Sequence, residues 1–248
     1  LVVSLGEFGL ILALPLWLQF VLGFDALQVG LLLLALAGGS FVASGAAGAF
    51  SGKVPAVVVV RVGILAEIIG IAWAGFIIGP EAAWGWLIPA LAVYGFGVGL
   101  ATAQLTGVIL QDVPVEKSGQ GSGMQSTARQ VGSALGVAIL GTVLFTTTGG
   151  VLAASLDDAG VPSTAADKVV TAVVDSAGAA IAGLEADPSQ AQIADAARTA
   201  FSDGTRASAL TAAGFLVIGL GATFALGSGR RRDVEAQESR PAERVQGS

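Results

Sequence analysis

One stretch of the chain, residues 56–78, reads AVVVVRVGILAEIIGIAWAGFII. Only Arg61 and Glu67 are charged in this stretch. A helix needs about 20 mostly apolar residues to cross the hydrocarbon core of a bilayer. Residues 56–78 therefore predict a transmembrane helix.

Similar windows lie on both sides of this one. The predicted spans are residues 2–24, 28–50, 86–110, 124–147 and 207–227. Each window is too long for a β-strand. The sequence therefore predicts an all-α membrane protein with a bundle of six transmembrane helices. Residues 1–148 hold the first five helices, 149–206 an extracytoplasmic loop, 207–227 the last helix and 228–248 a polar cytoplasmic tail.

The composition fits a membrane protein and removes most enzyme chemistry. Of 248 residues, 54% are hydrophobic and 12% charged, against about 45–50% and 25% in soluble domains. The chain contains no Cys and no His, so it lacks thiolate nucleophiles, imidazole bases and the commonest zinc ligands. We expect the lipid bilayer as its surroundings and predict no enzyme activity, no cofactor, no metal site and no nucleic-acid partner.

Basic residues predict the orientation in the cell membrane. Short cytoplasmic loops are enriched in Lys and Arg, and the tail begins with Arg230-Arg231-Arg232. Placing this tail inside puts most other basic residues on the cytoplasmic side as well, namely Lys53, Arg61, Lys117, Arg129, Arg240 and Arg244. The tryptophans Trp17, Trp73, Trp84 and Trp86 then fall toward the outer side, where aromatic rings favour the interface.

The predicted outer loop, residues 149–206, is acidic but carries apolar residues at helical spacing. The spacing predicts two amphipathic helices, within 169–184 and 193–201. We expect them to cap the membrane domain or to lie on its surface. The alternative is that they bind an outer partner.

Glu67 is the leading candidate for a functional residue. An acid at the bilayer centre costs about 2.5–3.5 kcal/mol to insert, so it is a functional candidate by default. Its carboxyl is suited to carry a proton or to meet a cationic substrate. The alternative is a structural acid that faces water or bonds to a neighbouring helix. Arg61 is predicted to extend toward the cytoplasmic surface.

Three further polar residues lie in predicted spans. Glu7 is either part of a substrate or proton pathway or an acid at the cytoplasmic interface. Gln19 and Gln104 carry amides that hydrogen-bond either to a solute or to another helix.

Residues 95–99 (GFGVG) and 119–123 (GQGSG) are rich in glycine. Neither segment has the strand before it and the helix after it that a nucleotide-binding loop requires. In the fourth span the glycines either loosen the helix or admit a close neighbour. Residues 132–136 (GSALG) in the fifth span predict close helix packing, because small residues let helix backbones approach.

Two segments resemble a known family. Residues 113–119 (VPVEKSG) and 121–136 (GSGMQSTARQVGSALG) are similar to the signature at the penultimate helix of fourteen-helix drug:proton antiporters of the EmrB/QacA type, in the major facilitator superfamily. Residues 14–23 (LPLWLQFVLG) resemble a passage at the first of the family's last six helices. The loop at residues 48–53 (GAFSGK) departs from the family by lacking an acid.

The resemblance implies the carboxyl-terminal half of a proton-coupled exporter of small, often cationic or amphipathic compounds. Arg129 and Gln130 would organise the cytoplasmic end of the fifth span. The chain opens inside an apolar run at Leu1, so we expect a missing amino-terminal half as its partner. The alternatives are a dedicated exporter of one metabolite or antibiotic, and a non-transporting scaffold or sensor that acts through the outer loop.

Overall fold

The computed structural model describes residues 2–50, 54–110, 114 and 117–238, and their regular structure is helical. The predicted basic residues Lys53, Arg240 and Arg244 lie outside this description. Eight α-helices follow one another: α1 Val2–Phe20, α2 Ala26–Phe50, α3 Ala56–Ile77, α4 Leu87–Leu110, α5 Ser118–Asp158, α6 Ser163–Asp175, α7 Ala180–Glu185 and α8 Ala191–Glu238. Six of these, α1 to α5 and α8, contain a segment long and apolar enough to cross a membrane. The predicted all-α class with six spans is confirmed.

The turn between α1 and α2 shows how local sequence sets helix ends. Helix α1 ends at Phe20, before the predicted position 24, and Gly23 then takes a left-handed φ of 70°. Asp25 accepts a hydrogen bond from the Gln28 backbone N–H at 2.7 Å, and the Gln28 side chain accepts one from the Asp25 N–H at 2.9 Å. This reciprocal pair is a capping box, which satisfies two backbone donors at the start of α2.

Helices α5 and α8 extend beyond the predicted spans. Helix α5 continues from the predicted end at 147 to Asp158, because Leu144, Thr148, Leu152 and Leu156 keep a buried stripe at every fourth position. Helix α8 begins at Ala191 rather than near 207, so the predicted amphipathic helix at 193–201 is the start of α8 and not a separate element. The limits 147 and 207 stay predictions of where the membrane ends.

The bundle consists of two sets of three helices. In the first set, α4 packs between α2 and α3; in the second, α1, α5 and α8 pack on one another, and α3 also contacts α8. The glycines of α4 alternate between its two neighbours. A Cβ at Gly95 or Gly99 would overlap the backbone of α2, whereas one at Gly97 would lie 2.5 Å from the Glu67 nitrogen on α3. Of the two roles predicted for the glycines of residues 95–99, the structure shows the close neighbour.

Close backbone approach also holds the second set together. A Cβ at Gly136 on α5 would overlap the carbonyl of Leu5 on α1, and one at Gly6 would lie 2.9 Å from the carbonyl of Ala212 on α8. The packing role predicted for residues 132–136 is confirmed at Gly136.

Two arginines of α8 bind the ends of α1 and α3. Arg198 donates to the carbonyls of Val21 and Pro80 at 3.1 and 3.0 Å. Arg206 donates to the carbonyls of Gly75 and Ile78 at 3.2 and 2.6 Å. The last carbonyls of a helix have no partner within it, and basic side chains satisfy them well. The sequence analysis assigned these two residues no role.

The segment between α5 and α8 folds onto this same end of the bundle. Ala166 and Val173 of α6 and Ile181 of α7 are buried in the core that also contains Trp17 and Phe201. Between α6 and α7, Gly178 has a φ of 98° and packs against the rings of Phe201 and Phe20. The apolar sides of these helices are therefore covered by the protein itself.

The tryptophans divide into two groups. Trp84 and Trp86 are exposed, and Trp86 lies 6.3 Å from Trp73 between ring centroids. Trp17 is fully buried, and its indole N–H donates to the Ser202 hydroxyl at 3.1 Å. The interfacial explanation is therefore wrong for Trp17, whose position is set by packing between α1 and α8.

Candidate functional site

Glu67 lies in the protein interior, at the crossing of α3 and α4. Its exposed fraction is 0%, and both carboxyl oxygens lack a hydrogen-bond partner among the described residues. Gly97 makes room for this side chain, because a Cβ there would lie 2.7 Å from the Glu67 Cγ. A buried acid without a partner is a costly arrangement, which marks Glu67 as the first member of a candidate site.

Glu7 on α1 is the second buried acid, with an exposed fraction of 6%. The preceding residues Leu5 and Gly6 pack on α5 and α8. The Tyr94 hydroxyl of α4 donates to the backbone carbonyl of Glu7 at 3.0 Å. Glu7 is therefore enclosed where α1 meets α4, and it is not an acid at a solvated interface.

Tyr94 of α4 connects the surroundings of the two acids. Its hydroxyl bonds to the Glu7 backbone, and its own backbone lies against Gly70, which follows Glu67 by three residues on α3. Glu7, Glu67 and Tyr94 therefore belong to one buried polar group.

The predicted amides lie apart from this group. Gln19 donates from its side-chain amide to the carbonyl of Pro15 at 3.2 Å, so it bonds within its own helix. It follows Glu7 by twelve residues, which is about 18 Å along the helix axis. Gln104 is half-buried on α4, seven residues after Gly97, and Gln130 is exposed beside Arg129.

Tyr94 is the site residue that sequence analysis missed. Its ring is buried, and its backbone lies against Gly70 of α3, where a Cβ would lie 2.5 Å from the Tyr94 nitrogen. Tyr94 is the only tyrosine in the chain. A single tyrosine inside an apolar span could have indicated this site residue from the sequence, because a buried phenol needs a hydrogen-bond partner.

Arg61 of α3 is held by α8. Its guanidinium donates to the hydroxyl and carbonyl of Thr223 at 3.2 and 2.7 Å and lies 4.1 Å above the ring of Phe224. The predicted extension toward the membrane surface stays a prediction, since the contacts shown are with a neighbouring helix.

The fold and the site define a class of protein: a helical bundle of six spans with a buried acidic group at its helix crossings. The family model of the Major Facilitator Superfamily matches residues 1–137. The chain therefore belongs to the Major Facilitator Superfamily.

Several relatives carry names that concern transport or resistance. The chain is 32% identical to a probable actinorhodin transporter of Streptomyces coelicolor, over 64% of this chain and 28% of that protein. It is 31% identical to a multidrug resistance protein B homolog of Mycobacterium tuberculosis, over 58% and 27% of the two chains. It is 29% identical to a tetracycline resistance determinant of Streptomyces rimosus, over 61% and 44%. The predicted resemblance to the drug:proton antiporters is confirmed, and the chain spans less than half the length of these relatives.

Proposed function

We propose that this chain is the carboxyl-terminal half of a secondary transporter that exports drugs or other small amphipathic compounds in exchange for protons. The observation that carries the proposal is the buried carboxyl of Glu67, which has no hydrogen-bond partner within the part of the chain that the structure describes. The names of the relatives, which concern transport of actinorhodin and resistance to drugs or tetracycline, support drugs or antibiotics as the cargo.

The chemistry follows from the surroundings of Glu67. An ionised carboxylate without a partner costs several kcal/mol in a protein interior. Glu67 therefore holds a proton while it is enclosed, and it releases that proton when a cation or water reaches it. Proton release on substrate binding, followed by proton uptake on substrate release, is what an antiporter requires.

The remaining parts of the proposal are those that the resemblance to the drug:proton antiporters implies. The partner is a missing amino-terminal half, and the two halves rock around a site at the membrane midplane. The protein lies in the cell membrane with its carboxyl terminus in the cytoplasm and residues 149–206 outside. Arg129 and Gln130 organise the cytoplasmic end of α5.

The test is Glu67→Gln in the complete native protein, reconstituted in vesicles with an imposed proton gradient. We expect export of a cationic dye to fall about ten-fold or more, which corresponds to about 1.4 kcal/mol. Glu81→Gln is the matched control, because Glu81 is an exposed acid in the α3–α4 connection. Unchanged export in the Glu67 variant would overturn the proposal.

A second candidate is an exporter dedicated to one metabolite or antibiotic, which the actinorhodin- and tetracycline-named relatives favour. Competition separates the two: a broad exporter is inhibited by chemically dissimilar cations, whereas a dedicated exporter is inhibited only by close analogues of its substrate.

The third candidate is a scaffold or sensor that acts through residues 149–206. The burial of Ala166, Val173 and Ile181 in the bundle core argues against it, because these apolar faces are already covered. Deleting residues 163–185 from the complete protein tests this candidate. Normal export together with loss of a signalling or assembly phenotype would favour it.

A further inference from the structure

We propose that the backbone carbonyl of Ile11, at the middle of α1, accepts a hydrogen bond from the exported compound, and that Pro15 keeps this carbonyl free to do so. The ligand is an organic cation whose charged nitrogen carries an N–H. This inference rests on the proposed function and deepens it, because it names a chemical feature of the cargo. Pro15 acts through the carbonyl of Ile11 and is therefore a positioning residue.

The first step is a break in the hydrogen bonding of α1. In an α-helix a carbonyl accepts from the N–H four residues later, but Pro15, which lies inside α1, has no N–H. The carbonyl of Ile11 therefore loses its regular helical donor. The two side-chain donors that follow on α1 are engaged elsewhere. Trp17 donates to the Ser202 hydroxyl, and Gln19 donates to the carbonyl of Pro15 at 3.2 Å.

The second step is that this part of α1 is open to a ligand. Ile11 is 47% exposed, although a larger share of α1 is buried than of any other span that the structure describes. Its neighbour Leu10 is buried, as is Leu14. Pro15 and Gln19 follow Ile11 at four-residue intervals, so the three residues share one face of the helix. This face is the accessible side of α1.

The third step is the position of this face in the bundle. On one side of it, the hydroxyl of Tyr94 on α4 donates to the carbonyl of Glu7, about one turn before Ile11. On the other side, α5 packs against Leu12, since a Cβ at Gly141 would lie 3.6 Å from the Leu12 side chain. The open face of α1 therefore lies between α4 and α5, where two sets of helices border a concave part of the bundle.

The Ile11 carbonyl is suited to an organic cation that carries an N–H. Ile11 is the tenth of the 19 residues of α1, so its carbonyl lies near the middle of the span, the depth at which secondary transporters bind their substrates. A carbonyl without a donor is costly in apolar surroundings, and a protonated amine satisfies it with a charge-assisted hydrogen bond. A quaternary ammonium ion has no N–H and cannot donate. The site should therefore prefer a protonated amine over its N-methylated analogue.

Binding of two dyes to the complete native protein at about pH 7 tests the inference. Protonated acridine orange carries an N–H on its ring nitrogen, whereas 10-methylacridine orange has the same ring system and charge with a methyl group there. We expect the wild type to bind acridine orange about two- to ten-fold more tightly, the range that one hydrogen bond contributes. Pro15→Ala supplies an N–H to the Ile11 carbonyl, so this preference should disappear. The variant should fold, because alanine favours a helix more than proline does.

Pro89→Ala is the matched control. Pro89 lies in the first turn of α4, where a backbone N–H has no partner within the helix, so this variant should keep the preference for acridine orange. Pro15→Gly is a second variant at the site. Glycine restores the same N–H but leaves the helix more flexible than alanine does, so the preference should disappear here too. A preference that survives in Pro15→Ala or Pro15→Gly overturns the role of the carbonyl.

The outcomes separate this inference from the proposed function. Equal binding of the two dyes by the wild type overturns the inference and leaves the proposed function standing. Normal export by Glu67→Gln overturns the proposed function, whichever dye is preferred. Failure of the wild type to bind either dye overturns the inference and removes organic cations of this class from the proposed cargo.

Discussion

The hydroxyl of Tyr94 donates a hydrogen bond to the backbone carbonyl of Glu7, with a distance of 3.0 Å between the two oxygens. This bond joins α4 of one helix set to α1 of the other. It also brings the only tyrosine of the chain into the immediate surroundings of a buried acid.

Tyr94→Phe tests the importance of this bond. The ring still packs against Gly70, but the hydroxyl is lost, which typically costs about 0.5–1.5 kcal/mol. We expect a lower thermal midpoint in detergent. A midpoint equal to that of the wild type would show that the bond contributes nothing to stability.

Gly97→Ala tests the closeness of α3 and α4. The new Cβ would lie 2.5 Å from the Glu67 nitrogen and from the Gly63 carbonyl. Overpacking of this kind costs about 1–3 kcal/mol, so the thermal midpoint should fall. Gly45→Ala is the matched control, because nothing lies within 4 Å of its Cβ position. It should raise the midpoint slightly, since alanine favours helices. Equal effects of both variants would contradict the packing described for α4.

Arg198 offers a comparison between two kinds of contact. Arg198→Gln removes the bonds to the carbonyls of Val21 and Pro80, and we expect a loss of about 1–2 kcal/mol because the side chain is only 28% exposed. Glu185→Gln removes only the 3.5 Å ion pair with Arg198, an exposed interaction that contributes less than about 1 kcal/mol. Thermal unfolding of both variants checks the order. A larger effect at Glu185 would contradict it.

The hydrogen bonds of Asp187, which lies outside the predicted spans, should make the local stability of its turn depend on pH. Hydrogen bonds from the side chain of Ser189, the side chain of Gln190 and the Ser189 backbone N–H hold the pKa of Asp187 below its usual 3.8. Because the folded-state pKa is depressed, the stabilisation is present above the unfolded pKa and is lost as the pH falls through the folded pKa.

Hydrogen exchange around residues 188–191, corrected for intrinsic rates, should therefore be faster in Asp187→Ala than in wild type at about pH 6. The two proteins should converge as the pH falls through the folded-state pKa of Asp187, which lies below 3.8. Glu81→Gln should match wild type throughout. A difference between wild type and Asp187→Ala that persists at the lowest pH would show that the effect does not come from the carboxylate.

The sequence predicted the spans well because apolar length is a local property. Residues 56–78 were assigned within one residue of α3 (Ala56–Ile77). Helix α5 continues past 147 and α8 begins at Ala191, although glycines and polar residues near 149 and 206 are typical of a loop. The contacts of α6 with α5 and of α7 with α8 depend on tertiary structure that no local pattern contains.

The candidate site was only partly predictable. Glu67 and Glu7 stood out because an acid in an apolar span is rare. The contact of Tyr94 with the Glu7 backbone depends on which helices cross, and this information is distributed over distant glycines such as Gly97 and Gly136. The roles of Arg198 and Arg206 could not be predicted, because their partners are backbone carbonyls. Every residue has one, so the sequence does not indicate which carbonyl accepts the hydrogen bond.

The glycine contacts also determine where the molecule is able to move. Within each three-helix set, backbone meets backbone, at Gly95 and Gly97 in one and at Gly6 and Gly136 in the other, so sliding at these points would require packed backbones to separate. Between the sets, the connections include side chains, among them Tyr94 to Glu7 and Arg61 to Thr223. A change of side-chain rotamer costs much less free energy than the separation of two packed helix backbones. Sliding between the two helix sets should therefore cost less than sliding within either set, and the helices that carry Glu7 and Glu67, α1 and α3, belong to different sets.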